Sequence, residues 1–364
     1  MGIFYLKFFL TSILFSLIIG AALVRFNKIN TYSNFELILY SLGLGPVFTV
    51  LLLYYFLLFI PGHAHLFYII SVLAIYGVIS IFSIKGFHIL GVQLKKWVKT
   101  SAASWKSMGT KEKFKRAGYW TFLLVLLAGF LILYLGNTLQ TPLEHHDALI
   151  YGNLGKMYYQ QKQVTYSRVM RPAQNGFYFQ GSQRPSFSLL LTWEMMLNNK
   201  QTNQSPDFDL YFRSMSGYYG ILFLGIYFFW LYRKNRYLAL LGLLVVFSGL
   251  RFFLMLVNYH LDAYRMFFLV ISWIWLAYTI KRKDGFSLFL FGVFSGFTAF
   301  THLIGLVVAV FNVLALFIFY EGSLKARIFK VAAVVLLIAA LGNIHYLMDV
   351  LFGPEAGFIN YISD

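Results

Sequence analysis

The chain has 364 residues, of which 59% are hydrophobic and only 12% are Asp, Glu, Lys or Arg. This composition excludes an ordinary soluble globular domain, in which about half of the residues are apolar. The net charge of +17 would suggest nucleic-acid binding in a soluble protein. Here the basic residues form short clusters between apolar runs, as in the cytoplasmic loops of membrane proteins, so we expect no nucleic-acid partner.

Many apolar runs reach the roughly 20 residues needed to cross a bilayer core of about 30 Å. In chain order the sequence predicts ten transmembrane helices, at about 3–24, 37–60, 65–90, 119–136, 214–232, 237–257, 264–280, 286–301, 304–320 and 328–348. The expected fold is therefore an all-α polytopic membrane protein. It would comprise an N-terminal three-helix segment (1–93), a basic cytoplasmic loop (94–118) and a transmembrane core (119–364).

Basic clusters fall at every second connection between these runs. They are Arg25 with Lys28, "KKWVKTSAASWKSMGTKEKFKR" (95–116), "RKNR" (233–236), "KRK" (281–283) and Lys325 with Arg327 and Lys330. The positive-inside rule places all of them in the cytoplasm. The N-terminus and the other connections, with most of the histidines and acids, then face outward. We expect an active site on the extracytoplasmic face of an inner or plasma membrane.

The longest outward connection, 137–213, has the pattern of a structured segment rather than a linker. Apolar residues recur at helical spacing from Asp147 to about Lys162, which predicts an interfacial helix. A second candidate interfacial helix begins near Pro185, a favoured first helical position, and runs to Leu197. A long structured loop at a membrane surface is more typical of a working site than of a tether.

The stretch "TPLEHHDALIYGNLGK" (141–156) gathers Glu144, His145, His146 and Asp147 in four positions. Asp147 has two interpretations, a general base and a helix N-cap that accepts backbone N–H groups. Glu144 has a similar pair of interpretations, a site acid and a solvated loop acid. The adjacent histidines lack the HxxxH spacing of a zinc pair, so no metal site is predicted.

A second polar group lies in the later outward connection "NYHLDAYR" (258–265). Asp262, beside His260 and Arg265, is either a site member or part of a polar connection. Arg251 falls in the outer half of the membrane, where a buried arginine usually faces a cavity, a partner or a lipid headgroup.

Two further polar residues of the outward connections are candidates for the site. His302 in "FTHLIG" marks a tight outer turn or a cavity wall. Arg184 precedes the second interfacial helix, and an outer cavity that contained Arg184 with Arg251 and Arg265 would suit a phosphate group.

This layout resembles the GT-C superfamily of membrane glycosyltransferases, which includes oligosaccharyltransferases, protein O-mannosyltransferases and the lipid A aminoarabinose transferase. "HHDALIYGNLGKMYYQQKQ" is similar to the bacterial version, in which an Asp precedes a Tyr-containing helix. "QRPSFSLLLTW" resembles the later Pro-containing element, and "NYHLDAYRMFF" is similar to the outer loop that often carries a second acid. The resemblance covers about 119–320. It departs from the best-known members in having three spans before the span that feeds the large loop, and many relatives continue beyond the position of Asp364.

The resemblance implies transfer of a sugar, with inversion, from a polyprenyl-phosphate carrier to an extracytoplasmic glycan, lipid or protein hydroxyl. Such a reaction needs one base for the acceptor hydroxyl and cations for the carrier phosphate. The expected catalytic residues are Asp147, Glu144 and Asp262. The expected substrate-binding residues are Arg184, Arg251, Arg265, His146, His260, His302, Tyr151 and Lys156.

Two alternatives stay open at this point. An O-antigen ligase or polysaccharide polymerase would rely on arginines such as Arg168, Arg171 and Arg184. A lipid or solute transporter would place polar groups near the membrane midplane, whereas the polarity of this sequence is concentrated at one rim. No cofactor is required by either the residues or the resemblance, although acids on two loops could hold a divalent metal ion. Membrane lipids are the remaining expected partners.

Overall fold

A computed structural model describes residues 2–26, 34–140, 146–164, 184–198, 207–249 and 261–344. Within these ranges the chain forms twelve α-helices and no strand. In chain order they are α1 (Gly2–Phe26), α2 (Asn34–Phe59), α3 (His65–Ser107), α4 (Thr110–Gln140), α5 (His146–Gln161), α6 (Ser186–Asn198), α7 (Asp207–Tyr232), α8 (Arg236–Ser248), α9 (Leu261–Arg282), α10 (Gly285–Thr301), α11 (Leu303–Phe319) and α12 (Leu324–Gly342).

Among the described residues, five helical stretches are long and apolar enough to cross a bilayer. These are Phe35–Phe59, His65–Ser107, Thr110–Asn137, Phe212–Tyr232 and Leu261–Arg282. Shorter apolar stretches lie in α1, α8, α10 and α11. The chain is therefore a helical multi-pass membrane protein, as the composition predicts. Every predicted span overlaps one of the helices, and the number of helices that cross the bilayer stays a prediction.

Several basic connections meet at one end of the bundle, which we call the basic end. The Glu36 carboxylate accepts a hydrogen bond of 2.6 Å from Arg282 Nη2 and lies 3.6 Å from Arg233 Nη1. The Tyr119 hydroxyl of α4 donates to the backbone oxygen of Arg236 at 2.9 Å. The start of α2, the α7–α8 connection and the α9–α10 connection thus lie together, as the alternation of basic clusters predicts.

The segment predicted as a basic loop at 94–118 is almost entirely helical, so that prediction is wrong in form. The 43 residues of α3 extend to Ser107, and α4 begins at Thr110. At 1.5 Å per residue α3 is roughly 65 Å long, about twice the thickness of a bilayer core. A helix of this length exceeds the bilayer core, and the orientation assigned from the basic clusters predicts that its last turns project into the cytoplasm. They remain helical because lysine and alanine are strong helix formers even without a buried face.

Helix α5 is attached to the α2–α3 connection at the opposite end, which we call the loop end. The backbone N–H of Gly62 donates to the Lys162 oxygen at 2.9 Å. His65 Nε2 lies 2.8 Å from the Tyr159 oxygen, and the two rings stack at 4.1 Å. The sequence-predicted helix from Asp147 to about Lys162 is confirmed as α5, His146–Gln161.

Helix α6 matches the second predicted helix in its bounds but differs from it in its surroundings. Every residue from Ser186 to Met196 is buried, with α5, α2 and α7 among the helices packed against it. Helix α6 is therefore buried within the bundle and does not expose one face as an interfacial helix would, and its depth relative to the membrane surface stays a prediction. Its side chains "SFSLLLTWEMM" are small or apolar almost throughout, which suits burial on all sides.

We expect the two ends of the bundle to differ in their access to an impermeant thiol reagent. The native chain contains no cysteine, so single substitutions give a clean background. The variants His146→Cys, His260→Cys and His302→Cys should label in intact cells, whereas Met108→Cys should label only after permeabilisation. Labelling of position 108 from outside would contradict the assigned orientation.

Candidate functional site

Helix α5 places the opening acid of the sequence-predicted site at its N-terminus. His146 and Asp147 are its first two residues, whereas Glu144 and His145 lie outside the described residues. A helix N-terminus favours an ionised carboxylate, because the first backbone N–H groups and the helix dipole are positive there. Position 147 is four residues, about one helical turn, before Tyr151 in the same helix.

Tyr151 is fixed by α6, which runs parallel to α5. The Ser188 hydroxyl donates to the Tyr151 oxygen at 2.8 Å, and the Thr192 hydroxyl donates to the Gly155 oxygen at 2.9 Å. The helices approach closely at Gly155, where an added Cβ would lie 3.0 Å from the Ser188 oxygen. The polar face of the buried helix thus holds α5 in register.

The N-terminus of α9 supplies a charged pair beside Tyr151. Arg265 Nη1 donates to Asp262 Oδ1 at 2.8 Å, and its guanidinium carbon lies 5.9 Å from the centre of the Tyr151 ring. The segment expected to be an outer connection through Arg265 is helical from Leu261. Asp262 and Arg265 therefore stand in a helical turn, at the spacing that favours an ion pair.

Arg265 keeps part of its hydrogen-bonding capacity open. Its Nε and Nη2 groups are buried, and neither finds a hydrogen-bond partner among the residues that the structure describes. A buried N–H group without a partner costs free energy, so an arginine in this state is suited to an incoming oxyanion. The planar guanidinium can offer these two groups to a phosphate or carboxylate together.

Arg184 lies at the same end but is engaged with two helix C-termini. It is 1% exposed, and its Nη1 donates to the Ala299 oxygen at 2.6 Å and to the Gly342 oxygen. The last carbonyl groups of α10 and α12 lack partners within their helices, and a cation there also complements the helix dipole. Arg184 thus joins α10 and α12 immediately before α6 begins.

His302 lies in a tight turn, in agreement with one of its two interpretations. It is the one residue between α10 and α11, and its Nδ1 accepts a hydrogen bond of 3.1 Å from the backbone N–H of Ile304. Lys156 lies on α5 and is partly exposed. Arg251 and His260 lie outside the described residues, as do Arg168 and Arg171. The structure therefore brings Tyr151, Asp262 and Arg265 together.

No protein-family model, curated protein or solved structure matches this chain. The functional interpretation is therefore based on the geometry of the loop end. The described residues contain no group of three His, Asp or Glu side chains placed to hold a metal ion.

Two buried acids were missed in the sequence interpretation. Glu36 forms the centre of the basic end, and Glu194 is 2% exposed in α6. Each acid interrupts an otherwise apolar helix, and an ionisable residue in such a position is a signal of a specific role. The signal lies in "NFELILY" and "LLTWEMML", each of which has one acid inside an apolar run.

Proposed function

We propose that this protein is a GT-C-like glycosyltransferase of about ten transmembrane helices. It would move a sugar, with inversion, from a polyprenyl-phosphate donor to a hydroxyl group of a glycan, lipid or protein outside the cytoplasm. The observation that supports this proposal best is the meeting of Tyr151 with Arg265 at the loop end. This contact brings α5, which has Asp147 as its second residue, next to an arginine with two N–H groups that lack a hydrogen-bond partner among the described residues.

In the proposed reaction Asp147 and Arg265 have separate roles. Asp147 accepts the proton of the acceptor hydroxyl as that oxygen attacks the anomeric carbon. The bond from this carbon to the phosphate oxygen breaks, and the carrier phosphate leaves with the electron pair. Arg265 stabilises the negative charge on that phosphate. Asp262 positions the guanidinium, and Arg251 is the proposed second cation from the outer half of the membrane.

Arg265→Leu should weaken binding of a polyprenyl monophosphate. A hydrogen bond to a charged group contributes about 1.5–3 kcal/mol, which is roughly 10- to 150-fold in Kd. Arg265→Lys should restore part of the affinity, since it keeps the charge but loses the two-pronged geometry. Isothermal titration of the purified variants in detergent measures both effects.

The matched control is Arg236→Leu, an exposed arginine at the basic end whose side chain lies over Tyr237. This variant should bind the carrier as the native protein does. Equal affinity of the Arg265→Leu variant and the native protein would remove Arg265 from the donor site. Equal losses in the leucine variants at positions 265 and 236 would show a nonspecific effect of positive charge.

A further inference from the structure

The last turns of α3 and the first turns of α4 form a basic extension, residues 95–116, that continues past the rest of the basic end. The Tyr119 hydroxyl donates to the backbone oxygen of Arg236 at 2.9 Å, so α4 is level with the α7–α8 connection at this position. The residues of α4 before Tyr119 therefore continue past the ends of α7 and α8. None of the residues 94–120, all of which the structure describes, is buried.

The basic extension combines positive charge with exposed aromatic rings. It contains eight lysine or arginine residues and one acid, Glu112. Three exposed aromatic side chains lie between these charges, namely Trp97, Trp105 and Phe114. A phenylalanine ring that is 83% exposed, as Phe114 is, is unfavourable in water. Clusters of cations and aromatic residues directly beside a span are typical of segments that bind anionic lipids.

One stripe of α4 joins these charges to the apolar surface of the span. It is formed by Lys111, Lys115, Gly118, Phe122 and Val125, at intervals of three or four residues, which places them on one face of the helix. All five residues are exposed. The stripe is cationic at its start and apolar from Gly118 onward. An anionic phospholipid has the same order of chemistry, a charged phosphate followed by an acyl chain.

The apolar part of this stripe contains an open hollow. An added Cβ at Gly118 would meet no atom within 4 Å, so the centre of the hollow is free of protein atoms. Leu123, on another face of α4, is buried in a cluster with residues of α7 and α8, so the hollow does not belong to the helix–helix contact. Its lining consists of Phe114, Ala117, Gly118, Thr121, Phe122 and Val125.

The other two cations in the first turns of α4 are engaged with the α3–α4 turn. Lys113 Nζ donates to the Lys106 oxygen at 3.4 Å, and Arg116 Nη1 donates to Met108 Sδ at 3.5 Å. These contacts hold the two helices at their connection. Lys111 and Lys115 are therefore the cations of this part of α4 that share a face with the hollow.

We propose that this stripe is a binding site for an anionic phospholipid of the leaflet at the basic end. The ammonium groups of Lys111 and Lys115 bind the phosphate, and one acyl chain lies in the hollow at Gly118. Lysine suits this position, since its hydrocarbon stem covers apolar surface while its charge reaches the headgroup. The site goes beyond the transferase proposal and shares none of the residues assigned to that reaction.

Native mass spectrometry of the full-length protein in detergent tests the phosphate contact, with palmitoyl-oleoyl phosphatidylglycerol as the probe. The double variant Lys111→Gln with Lys115→Gln should bind the first lipid about 30-fold more weakly, since each lysine near an anionic headgroup contributes about fivefold in Kd. Lys95→Gln with Lys99→Gln removes the same charge from α3 and should have a much smaller effect. Unchanged binding in the first double variant, or equal losses in both, would overturn the proposal.

The acyl-chain contact is tested with Gly118→Leu, which fills the hollow. Leucine is a better helix former than glycine and meets no protein atom there, so the variant should fold. It should weaken binding of phosphatidylglycerol by about tenfold, about the value of burying one or two methylene groups. Gly91→Leu, at an equally open glycine of α3, is the matched control and should bind normally. Native affinity in Gly118→Leu would contradict the site.

Two further probes identify the ligand. Phosphatidylcholine, which has the same acyl chains and no net charge, should bind more weakly than phosphatidylglycerol to the native protein. Inorganic phosphate at millimolar concentration should not displace the bound phosphatidylglycerol. Equal affinity for the two lipids would show a nonspecific lipid contact and overturn the proposal. Displacement by inorganic phosphate would assign the lysines to a free phosphate ion instead.

Discussion

Asp147→Asn should reduce transfer from a polyprenyl-phosphate sugar by about 10²-fold or more, the usual contribution of a general base. Asparagine keeps the size of the side chain and can still cap the start of α5, so the variant should fold and bind donor. It cannot accept the proton of the acceptor hydroxyl. Turnover of the donor by the purified protein, measured at saturating donor and acceptor, gives the effect.

Glu144→Gln is the matched control, since it changes a second acid only three positions before Asp147. Its turnover should change much less, because Glu144 precedes the helix whose N-terminus directs Asp147. Full turnover in Asp147→Asn would mean that Asp147 is a cap, with Asp262 the next candidate for the base. Full turnover in Asp147→Asn, together with loss of turnover in variants of the arginines, would favour a ligase or polymerase mechanism.

Among single substitutions at the basic end that replace a charged side chain by a neutral one, Glu36→Gln should cause the largest loss in the free energy of unfolding. The Glu36 side chain is 1% exposed and is paired with Arg282 and Arg233. Removal of one partner from a fully buried ion pair costs about 3–5 kcal/mol. Because the Arg282 and Arg233 side chains are 24% and 41% exposed, water can solvate them in part, and we expect about 2–3 kcal/mol. Unfolding of the protein in mixed micelles measures this free energy.

The control for this prediction is the exposed ion pair between Lys283 and Glu321, at 2.7 Å. Lys283 lowers the pKa of the Glu321 carboxyl, but both groups are open to water, and Glu321→Gln should leave stability unchanged. The double variant Glu36→Gln with Arg282→Gln should recover part of the loss, since it removes both charges. A Glu36→Gln variant as stable as the native protein would contradict the structural role of this pair.

Helix positions were predictable because bilayer thickness and apolar run length constrain them directly. The predicted helices at 147–162 and 185–197 agree with α5 and α6 to within about two residues. Their surroundings were less predictable. The burial of α6 depends on contacts with α2, α5 and α7, which no local pattern encodes. The helical form of the basic segment is not evident from its charge, because a cluster of lysines is typical of cytoplasmic loops and lysine is also a strong helix former.

The candidate site was also predictable only in part. The alternation of basic clusters predicts acids and arginines at one rim of the bundle, and the structure brings Tyr151, Asp262 and Arg265 together at the loop end. Sequence could not show that Arg184 spans the ends of α10 and α12, because its partners are backbone oxygens far away in the chain. Nor could the outward clusters point to Glu194, whose surroundings come from four separate helices.

Photo-crosslinking of the full-length protein with a diazirine-bearing polyprenyl phosphate tests the site assignment most directly. With the photoreactive group next to the phosphate, peptide mapping should find the label in the first turns of α5 and α9, around Tyr151 and Arg265. An excess of unlabelled polyprenyl phosphate should suppress it, and Arg265→Leu should reduce it. Label confined to the basic end, or spread evenly along the lipid-facing helices, would contradict a carrier-phosphate site at the loop end.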